Sequence, residues 1–365
     1  MRGRALLLVG ALLLAAVAGA TPAAAANAGQ TSGDCSFPVT MTDATGTEVT
    51  LEERPERVVT TNPSAAQTMW EIGGKEQVVG VTQYASYLDG ADSRANVSAG
   101  FGVSVEAVVG ADPDLVIAPN ASAGDVQALR DAGLTVYHLS QATDIEDIRR
   151  KTTTVGRLTG NCAGAAEANA WMTANVRSIE NLTADVEDEP RVLYPLGGGY
   201  VAADRTFIDA IIGVAGADNV AAGNYSGYPQ LNDEVVLQLD PEVLIVTERS
   251  SGIVTQAPYA STTAGERNAT VRLRTRNLNQ PAPRSVVNAV HNATRQLHPD
   301  RYSEDSYVPR SAVQRTETTT VTETAITTEP TATPTGGSGP GFTAGVAVIA
   351  LCLSVLAARR RSGRR

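Results

Sequence analysis

An internal repeat is the feature that most constrains the fold of this chain of 365 residues. The segment 106–117, EAVVGADPDLVI, resembles the segment 234–245, EVVLQLDPEVLI. In both copies a glutamate stands six residues before an Asp-Pro pair, and an apolar run follows that pair. Because proline disfavours helix at the preceding residue, each copy indicates a short helix that ends at Asp-Pro and leads into a buried strand. The repeat therefore predicts two similar α/β lobes.

Short apolar runs alternate with helical patterns on both sides of the repeat, which favours parallel sheets. We predict strands at 57–60, 77–81, 114–117 and 134–137, and a second set at 191–194, 243–246 and 270–273. The openings RVVTTNPSAAQTMWEIGG and RVLYPLGGGYVAADRTFIDAIIG both run from strand to loop to helix. The fold class is therefore α/β, with two Rossmann-like lobes at 55–142 and 188–300 and a parallel central sheet in each.

The segment 143–187 has helical periodicity. Apolar side chains step by three and four from Ile145 to Leu158, and after Gly160 the stripe continues from Ala165 to Leu182. We predict one helix from Asn161 to about Val186, which would be roughly 39 Å long. A single long helix between two lobes is a stiff connection, so we expect only small closing motions.

The two ends of the chain predict export and anchoring. Residues 1–26 have a basic start, an apolar stretch and small residues before the end, as secretory signal peptides do, and 27–54 then lead into the first lobe. A retained anchor is the alternative. Residues 301–339 are rich in Thr, Glu and Pro and predict a solvated, disordered stalk. In 340–365 an apolar run of 16 residues precedes an arginine cluster, which is typical of a membrane anchor with a cytoplasmic tail.

Composition excludes several classes of function. The formal net charge is −10, and an acidic surface repels phosphate backbones, so we expect no nucleic-acid binding. Lys75 and Lys151 are the two lysines, and an acidic, lysine-poor chain suits a high-salt environment or reflects a GC-rich genome. No nucleophile elbow, metalloprotease motif or phosphate-binding loop is present, so we expect no enzyme. His138, His291 and His298 do not converge in this pattern, so we expect no metal site and no cofactor.

Cysteines and glycosylation sequons give two further expectations. Cys352 lies in the apolar C-terminal run, which leaves Cys35 and Cys162 in the exported part of the chain. We predict that these two form a disulfide in an oxidising compartment, with free thiols as the alternative. N-x-S/T sequons make surface glycosylation possible at Asn96, Asn120, Asn181, Asn224, Asn268 and Asn292.

The whole pattern resembles the substrate-binding proteins of ABC importers, most closely the cobalamin and iron-siderophore class. The stretches that carry the resemblance are TDATGTEVTLEERPERVVTTNPSAAQTMWEIGG, SVEAVVGADPDLVIAP, TFIDAIIGVAGADNVA, DEVVLQLDPEVLIV and NLNQPAPRSVVNAV, spread over about 42–298. The resemblance implies the class III fold of solute-binding proteins, a ligand cleft between the lobes, and permease and ATPase subunits as partners. A corrinoid is the first expectation for the ligand and a ferric siderophore or haem the second. A surface adhesin or structural protein is a further alternative.

The C-terminal order of Thr-rich stalk, Pro340-Gly341-Phe342, short apolar run and basic tail resembles the tripartite PGF signal that archaeal sorting enzymes read. This resemblance implies a haloarchaeal protein on the outer face of the cell membrane, whose span is removed and replaced by a lipid. A plain transmembrane anchor is the alternative.

The family resemblance also implies site residues, because ligand binds there at loops after the carboxyl ends of the strands. Tyrosine suits a large planar ligand, and glycine lets a ligand approach the backbone, although several tyrosines can equally be ordinary core or surface residues. The candidates for ligand contact are Asn62, Pro63, Ser64, Tyr84, Tyr87, Asn120, Gly197, Gly198, Gly199, Tyr200, Tyr225, Tyr228 and Arg249.

Glu106 and Glu234 occupy matching positions of the repeat. In the cobalamin-binding relatives one glutamate per lobe contacts arginines of the transporter, so the resemblance implies the same role for this pair. The alternative is a solvated glutamate that the helix dipole favours near the start of a helix.

Overall fold

The computed structural model describes residues 35–313, and the statements about structure that follow concern this part of the chain. The predicted signal peptide, the stalk after residue 313, the PGF motif, the C-terminal apolar run and Cys352 lie outside the described residues.

The N-terminal lobe is built on a five-stranded parallel sheet with the strand order β5-β4-β3-β6-β7. A separate antiparallel hairpin, β1–β2, precedes it. The elements are β1 (Val39–Thr42), β2 (Glu48–Leu51), β3 (Val58–Thr60), α1 (Pro63–Glu71), β4 (Val78–Val81), β5 (Ala95–Asn96), α2 (Val105–Gly110), β6 (Leu115–Ala118), α3 (Val126–Asp131) and β7 (Val136–His138).

The linking region contains two helices, α4 (Ile145–Thr159) and α5 (Cys162–Thr183). Gly160 ends α4 with a positive φ of 69°, a conformation that glycine adopts without strain. The prediction of one helix from residue 161 to about 186 is confirmed with ends shifted by one and three residues. The start of α5 packs in the N-terminal core through Ala165 and Ala168, and the helix from Trp171 onward packs in the C-terminal core, for example through Trp171 and Ile179.

The C-terminal lobe repeats this plan with a four-stranded parallel sheet in the order β11-β8-β12-β13. A short antiparallel hairpin, β9–β10, follows its first strand. The elements are β8 (Arg191–Leu193), β9 (Pro195–Gly197), β10 (Tyr200–Val201), α6 (Phe207–Val214), β11 (Asp218–Asn219), α7 (Asp233–Leu239), β12 (Val243–Val246), α8 (Thr263–Arg267), β13 (Thr270–Arg272), α9 (Thr275–Leu278) and α10 (Pro283–Leu297).

The repeat has the same backbone in both lobes. Asp112 and Asp240, which precede the two prolines, both adopt a positive φ, of 48° and 37°. Aspartate tolerates this left-handed conformation better than most residues, and the following proline prevents the helix from continuing. Each helix therefore ends one or two residues before its Asp-Pro pair, and the chain then enters an interior strand of its sheet, β6 or β12.

Two contacts tie the ends of the described chain to α5. A disulfide joins Cys35 to Cys162, the pair predicted from the sequence. Residues 301–313, which we expected in the disordered stalk, instead pack on α5: the carbonyl oxygen of Val308 accepts hydrogen bonds from Trp171 Nε1 and Asn175 Nδ2, each at 2.9 Å. The prediction failed here because the segment packs through this carbonyl and through separated side chains, such as Tyr302 and Arg310, which form no continuous apolar pattern in the sequence. No helix within residues 35–313 combines the length and the apolar character that crossing a membrane requires.

Candidate functional site

A cavity of about 410 Å³ lies between the two lobes. On one side its walls come from the start of α1, from the segments that follow β6 and β7, and from α4. On the other side they come from β9, α6, the segment before α7 and the end of α9. The first group follows the carboxyl ends of parallel strands, which is where open α/β sheets bind ligands. The geometry therefore defines an interlobe ligand cleft.

The start of α1 faces this cleft. Asn62 caps the helix, since its Oδ1 accepts hydrogen bonds from the backbone nitrogen of Ser64 at 3.0 Å and from Ser64 Oγ at 2.9 Å. Pro63 occupies the first helical position, where its missing N–H costs nothing. Asn62 and Ser64 line the cavity, whereas Pro63 is buried beside it. A local capping arrangement thus fixes two of the predicted ligand-contact residues in place.

Most of the cavity wall is apolar. Leu139 and Val155 contribute from the N-terminal side, and Phe207, Ile208 and Leu278 contribute from the C-terminal side. A few polar side chains are placed among them, including Asn120, Gln141, Tyr228 and Asn279. This combination of an apolar wall with a few convergent polar groups is typical of sites for large organic molecules.

Tyr228 is the predicted tyrosine that lines the cavity. Burial raises the pKa of its phenol, so the hydroxyl stays protonated and can donate or accept a hydrogen bond. Tyr84 and Tyr200 are 59% and 47% exposed and do not line the cavity, and Tyr225 packs against the C-terminal core. Their contact with a ligand stays a prediction.

Tyr87 bridges the two lobes instead of lining the cavity. Its hydroxyl lies 2.7 Å from Gln67 Oε1 on α1 and also contacts Gln280 Oε1, which belongs to the C-terminal lobe. The guanidinium of Arg276 lies 5.5 Å from the centre of its ring. Burial raises the pKa of this phenol, so the hydroxyl keeps the one proton that it can donate to these amide oxygens.

Further polar contacts cross between the lobes beside Tyr87. Gln67 Nε2 donates to Ser285 Oγ of α10 at 2.9 Å. The carboxylate of Glu71, at the end of α1, pairs with Arg284 of α10 and lies 3.3 Å from Arg310. Because separating a buried charge from its partners is expensive, these contacts hold the lobes together on the side of α10.

The predicted glycine run and Arg249 do not line the cavity. Gly197, Gly198 and Gly199 all have positive φ and form the turn between β9 and β10. A Cβ on Gly199 would lie 2.8 Å from the backbone oxygen of Leu231, so the turn requires glycine there. Arg249 is exposed after β12. These glycines therefore shape the hairpin that presents Leu196 to the cleft.

Glu106 and Glu234 occupy equivalent positions in the structure. Each is the second residue of its helix, α2 or α7, after a residue whose side chain caps the helix, and each is exposed. Three residues later, on the same helix face, Val109 and Leu237 are 45% and 44% exposed. Each lobe thus presents a carboxylate beside an apolar side chain.

The histidines have structural partners. His138 Nδ1 lies 2.8 Å from the carbonyl oxygen of Ala118, and His298 Nε2, one residue beyond the end of α10, lies 2.9 Å from that of Gly216. His291 Nε2 lies 2.9 Å from Asn175 Oδ1, and burial lowers the pKa of His291 to about 4. Within residues 35–313, no three His, Cys, Asp or Glu side chains are grouped so as to hold a metal ion.

Sequence reasoning missed Lys151, a lysine of α4 that lines the cavity. It is half-buried, and desolvation lowers the pKa of its ammonium to about 8. A signal was present: Lys151 stands three residues after Ile148 and four before Val155, both on the apolar stripe of the helix. A lysine next to the apolar stripe of a helix is expected to be partly buried, because the stripe is the face that packs against the rest of the protein.

The fold and the cleft define a two-lobed solute-binding protein, and comparison with known sequences agrees. The sequence profile of the periplasmic binding protein family matches residues 58–274, and the chain belongs to this family. The chain is 46% identical over 280 residues to the cobalamin-binding protein of Halobacterium salinarum. The aligned region covers 71% of this chain and 76% of that protein.

Two further similarities are more distant. An uncharacterized ABC transporter substrate-binding lipoprotein of Bacillus subtilis is 26% identical over 282 residues, which cover 73% of this chain and 88% of that protein. Among solved structures, the periplasmic heme-binding protein of Roseiflexus sp. RS-1 in its apo form superposes with a TM-score of 0.59 at 23% identity, covering 67% of this chain and 99% of that one. This structural likeness shows a shared fold.

Proposed function

We propose that this protein is the substrate-binding subunit of an ABC importer and that it binds a corrinoid, in the first place cobalamin, between its lobes. The observation that carries the proposal is the interlobe cavity at the carboxyl ends of the sheet strands, with a single long helix joining the lobes. The 46% identity to a cobalamin-binding protein supports the choice of ligand. The role is capture and delivery, without a chemical reaction.

A corrinoid is larger than a cavity of about 410 Å³, so the cleft must hold part of the ligand while the rest extends toward solvent. The apolar walls suit the face of a macrocycle, and the amide groups of Asn120, Gln141 and Asn279 suit the amide side chains at a corrin rim. Asn120 belongs to a glycosylation sequon and lines the cleft, so the proposal requires this asparagine to remain unglycosylated.

Haem is the second candidate ligand, and Tyr228 is the observation that favours it. A tyrosine oxygen can bind haem iron directly, and the Tyr228 hydroxyl lies in the cavity wall. None of the three histidines, by contrast, lines this cavity. A haem bound through Tyr228 would show the absorption bands of a tyrosinate-ligated iron, and these bands would disappear in Tyr228→Phe.

Equilibrium titration of the secreted protein, folded in concentrated KCl, with cyanocobalamin and separately with haemin tests the proposal. We expect saturable one-to-one heat and a change in Trp fluorescence with cyanocobalamin. Saturation by haemin alone would replace the corrinoid with haem. Failure of both ligands would contradict the proposed binding role and favour a surface adhesin or structural protein.

We further propose that Glu106 and Glu234 contact the permease. Their exposure, their matching positions and the neighbouring Val109 and Leu237 support two equivalent contacts, as a two-fold symmetric pair of transporter subunits would make. The permease and its ATPase are then the partners of this protein, and basic residues next to an apolar surface are the expected receptor on each permease subunit.

We propose also that the protein stands on the outer face of the cell membrane, exported by its signal peptide and anchored through the C-terminal segment. The order of stalk, PGF motif, apolar run and basic tail supports processing by a sorting enzyme. The mass of the mature protein tests this: loss of residues after the PGF motif together with added lipid mass is expected. An intact C-terminus would instead indicate a plain transmembrane anchor.

A further inference from the structure

Lys151 is the charged side chain of the main cleft. Among the described residues that line the 410 Å³ cavity, every other one is apolar or uncharged. This is notable in a chain of net charge −10, where chance placement would favour a carboxylate. Lys151 also lines an adjoining cavity of about 240 Å³, so its side chain lies where the two spaces meet.

No carboxylate in residues 35–313 pairs with the Lys151 ammonium within 4.0 Å. The nearby acids are used elsewhere. Asp147 accepts hydrogen bonds from the backbone nitrogen and hydroxyl of Thr143 and pairs with Arg150. Asp144 caps α4 by accepting from the backbone nitrogen of Asp147 at 2.6 Å, and Asp43 pairs with Arg130. The protein thus supplies a half-buried cation without supplying its counter-ion.

Burial removes hydration from this ammonium, and the attraction of the nearby Asp147 and Asp144 carboxylates only partly offsets that loss. An anionic oxygen of a bound ligand would compensate for it and would form a charge-assisted hydrogen bond in a partly dry site. A partly buried ammonium without a carboxylate partner is therefore typical of a site whose ligand supplies the negative charge.

We propose that Lys151 is the anion-recognition residue of the cleft and that the ligand places a phosphate or carboxylate oxygen on its ammonium. This inference rests on the proposed function, since it assumes that the cleft binds the ligand. In a corrinoid the group is the phosphodiester of the nucleotide loop, and in haem it is a propionate. In both cases one anionic group of a large macrocyclic ligand makes the charged contact that orients the ligand in the cleft.

The test compares a corrinoid that carries this anionic group with one that lacks it. Cyanocobalamin carries the phosphodiester, and dicyanocobinamide lacks the nucleotide loop and its phosphate. Lys151→Gln should weaken cyanocobalamin binding about 10- to 100-fold, the range of hydrogen bonds to charged groups, and should leave cobinamide binding within about twofold. Lys151→Arg should restore most of the loss.

Lys75→Gln is the matched control, because Lys75 is the other lysine and pairs with Asp89 at 2.8 Å outside the cavity. It should bind both corrinoids as the unaltered protein does. Equal weakening of cyanocobalamin and cobinamide by Lys151→Gln would show a merely structural role and overturn the inference.

Dependence on pH provides a second readout. The unliganded ammonium has a pKa of about 8, so cyanocobalamin affinity should be flat below pH 8 and fall above it, by up to about tenfold per pH unit. Lys151→Gln should remove this decline. The charged and titratable groups around Lys151 are Asp43, Tyr137, His138, Asp144, Asp147 and Arg150.

The possible results distinguish failure of the Lys151 assignment from failure of the proposed corrinoid binding. If the unaltered protein binds cyanocobalamin and Lys151→Gln binds it equally well, the Lys151 assignment fails while the corrinoid function stands. If the unaltered protein binds haem instead, haemin and its dimethyl ester replace the two corrinoids, and the same difference is expected. If neither ligand binds, the proposed function fails and the inference fails with it.

Discussion

The N-terminal and C-terminal lobes meet across the cleft with the same backbone plan and different side chains. Each has a parallel sheet, a capped helix with an exposed glutamate, and an Asp-Pro turn with positive φ. The N-terminal side nevertheless lines the cavity with several polar groups, among them Asn62, Asn120 and Gln141, and α4 adds Lys151. The C-terminal side is mainly apolar, through Leu196, Phe207, Ile208, Leu278 and Pro281, with Tyr228 and Asn279 as its polar groups.

We infer from this difference that the repeat specifies the backbone scaffold, whereas the loops and helix faces that line the cleft specify the ligand. A symmetric scaffold suits a partner with two-fold symmetry, which needs the same contact from each lobe. An asymmetric cleft suits a ligand with a polar end and an apolar face. We therefore expect the ligand to bind in one orientation, with its charged group toward the N-terminal side.

Reversal of the two exposed glutamates should have the largest effect and tests the equivalence of the lobes. Glu106→Arg together with Glu234→Arg should abolish uptake of labelled cobalamin by cells, because like charges would meet at both contacts. Affinity for free cobalamin should not change, since neither residue lines the cleft. Uptake at the unaltered level would remove the docking role. Single reversals that differ strongly from each other would show that the lobes are not equivalent partners.

The disulfide stabilises the N-terminal side of the protein, because it joins the N-terminal segment to the start of α5. Among residues 35–313 the C-terminal lobe has no disulfide. Cys35→Ser with Cys162→Ser should lower the free energy of unfolding by about 4 kcal/mol, since the bond closes a loop of 127 residues. Denaturant titration measures this loss. Added reductant should lower the stability of the unaltered protein and leave the double variant unchanged, and equal stability of the two proteins would contradict the prediction.

Low pH should reduce the stability of the C-terminal lobe, because the buried His291 must take up a proton when the protein unfolds. Burial lowers the pKa of this histidine from 6.5 to about 4, so the unfolded state binds its proton first as pH falls. Stability is therefore fully present above pH 6.5 and declines toward pH 4, by about 3 kcal/mol for this one group. In His291→Gln the part of the pH dependence between these values should be reduced. An unchanged slope would show that other groups determine it.

Tyr228 and Tyr84 allow a matched test, because one tyrosine lines the cleft and the other lies on the surface. Replacing each in turn compares how much the two regions contribute to ligand affinity. Tyr228→Ala should weaken cobalamin binding about tenfold, because an aromatic wall and a hydroxyl are lost from the cavity. Tyr84→Ala should change the affinity by less than twofold, because that side chain is 59% exposed and lies outside the cavity. If Tyr84→Ala weakens binding as much as Tyr228→Ala does, the ligand extends over the loop after β4, as the family resemblance implies.

Much of the scaffold could be predicted because its signals are local. All seven predicted strands are present with ends shifted by two residues at most, since buried parallel strands are short apolar runs between turn residues. The β1–β2 hairpin was missed because its strands alternate buried and exposed positions over four residues each, which is too short a pattern to distinguish. The packing of 301–313 depends on the Val308 carbonyl and on separated side chains such as Tyr302 and Arg310, which form no continuous apolar run.

The cleft was predictable only where it follows strand ends. Asn62, Ser64 and Asn120 come soon after β3 and β6, and all three line the cavity, while their contact with a ligand stays a prediction. The walls formed by α4, α6 and α9 were missed, because which helix faces point into a cleft depends on how the two lobes pack together. Tyr87 shows the same limit: its position after β4 suggested a ligand contact, and the arrangement of the lobes places its hydroxyl between Gln67 and Gln280.

A crystal structure of the protein grown with cyanocobalamin tests the central claim most directly. We predict the corrin macrocycle between the lobes, against Phe207 and Tyr228, with the phosphodiester on the ammonium of Lys151. The macrocycle bound outside this cleft, or bound with its nucleotide loop toward the C-terminal side and away from Lys151, would contradict the account.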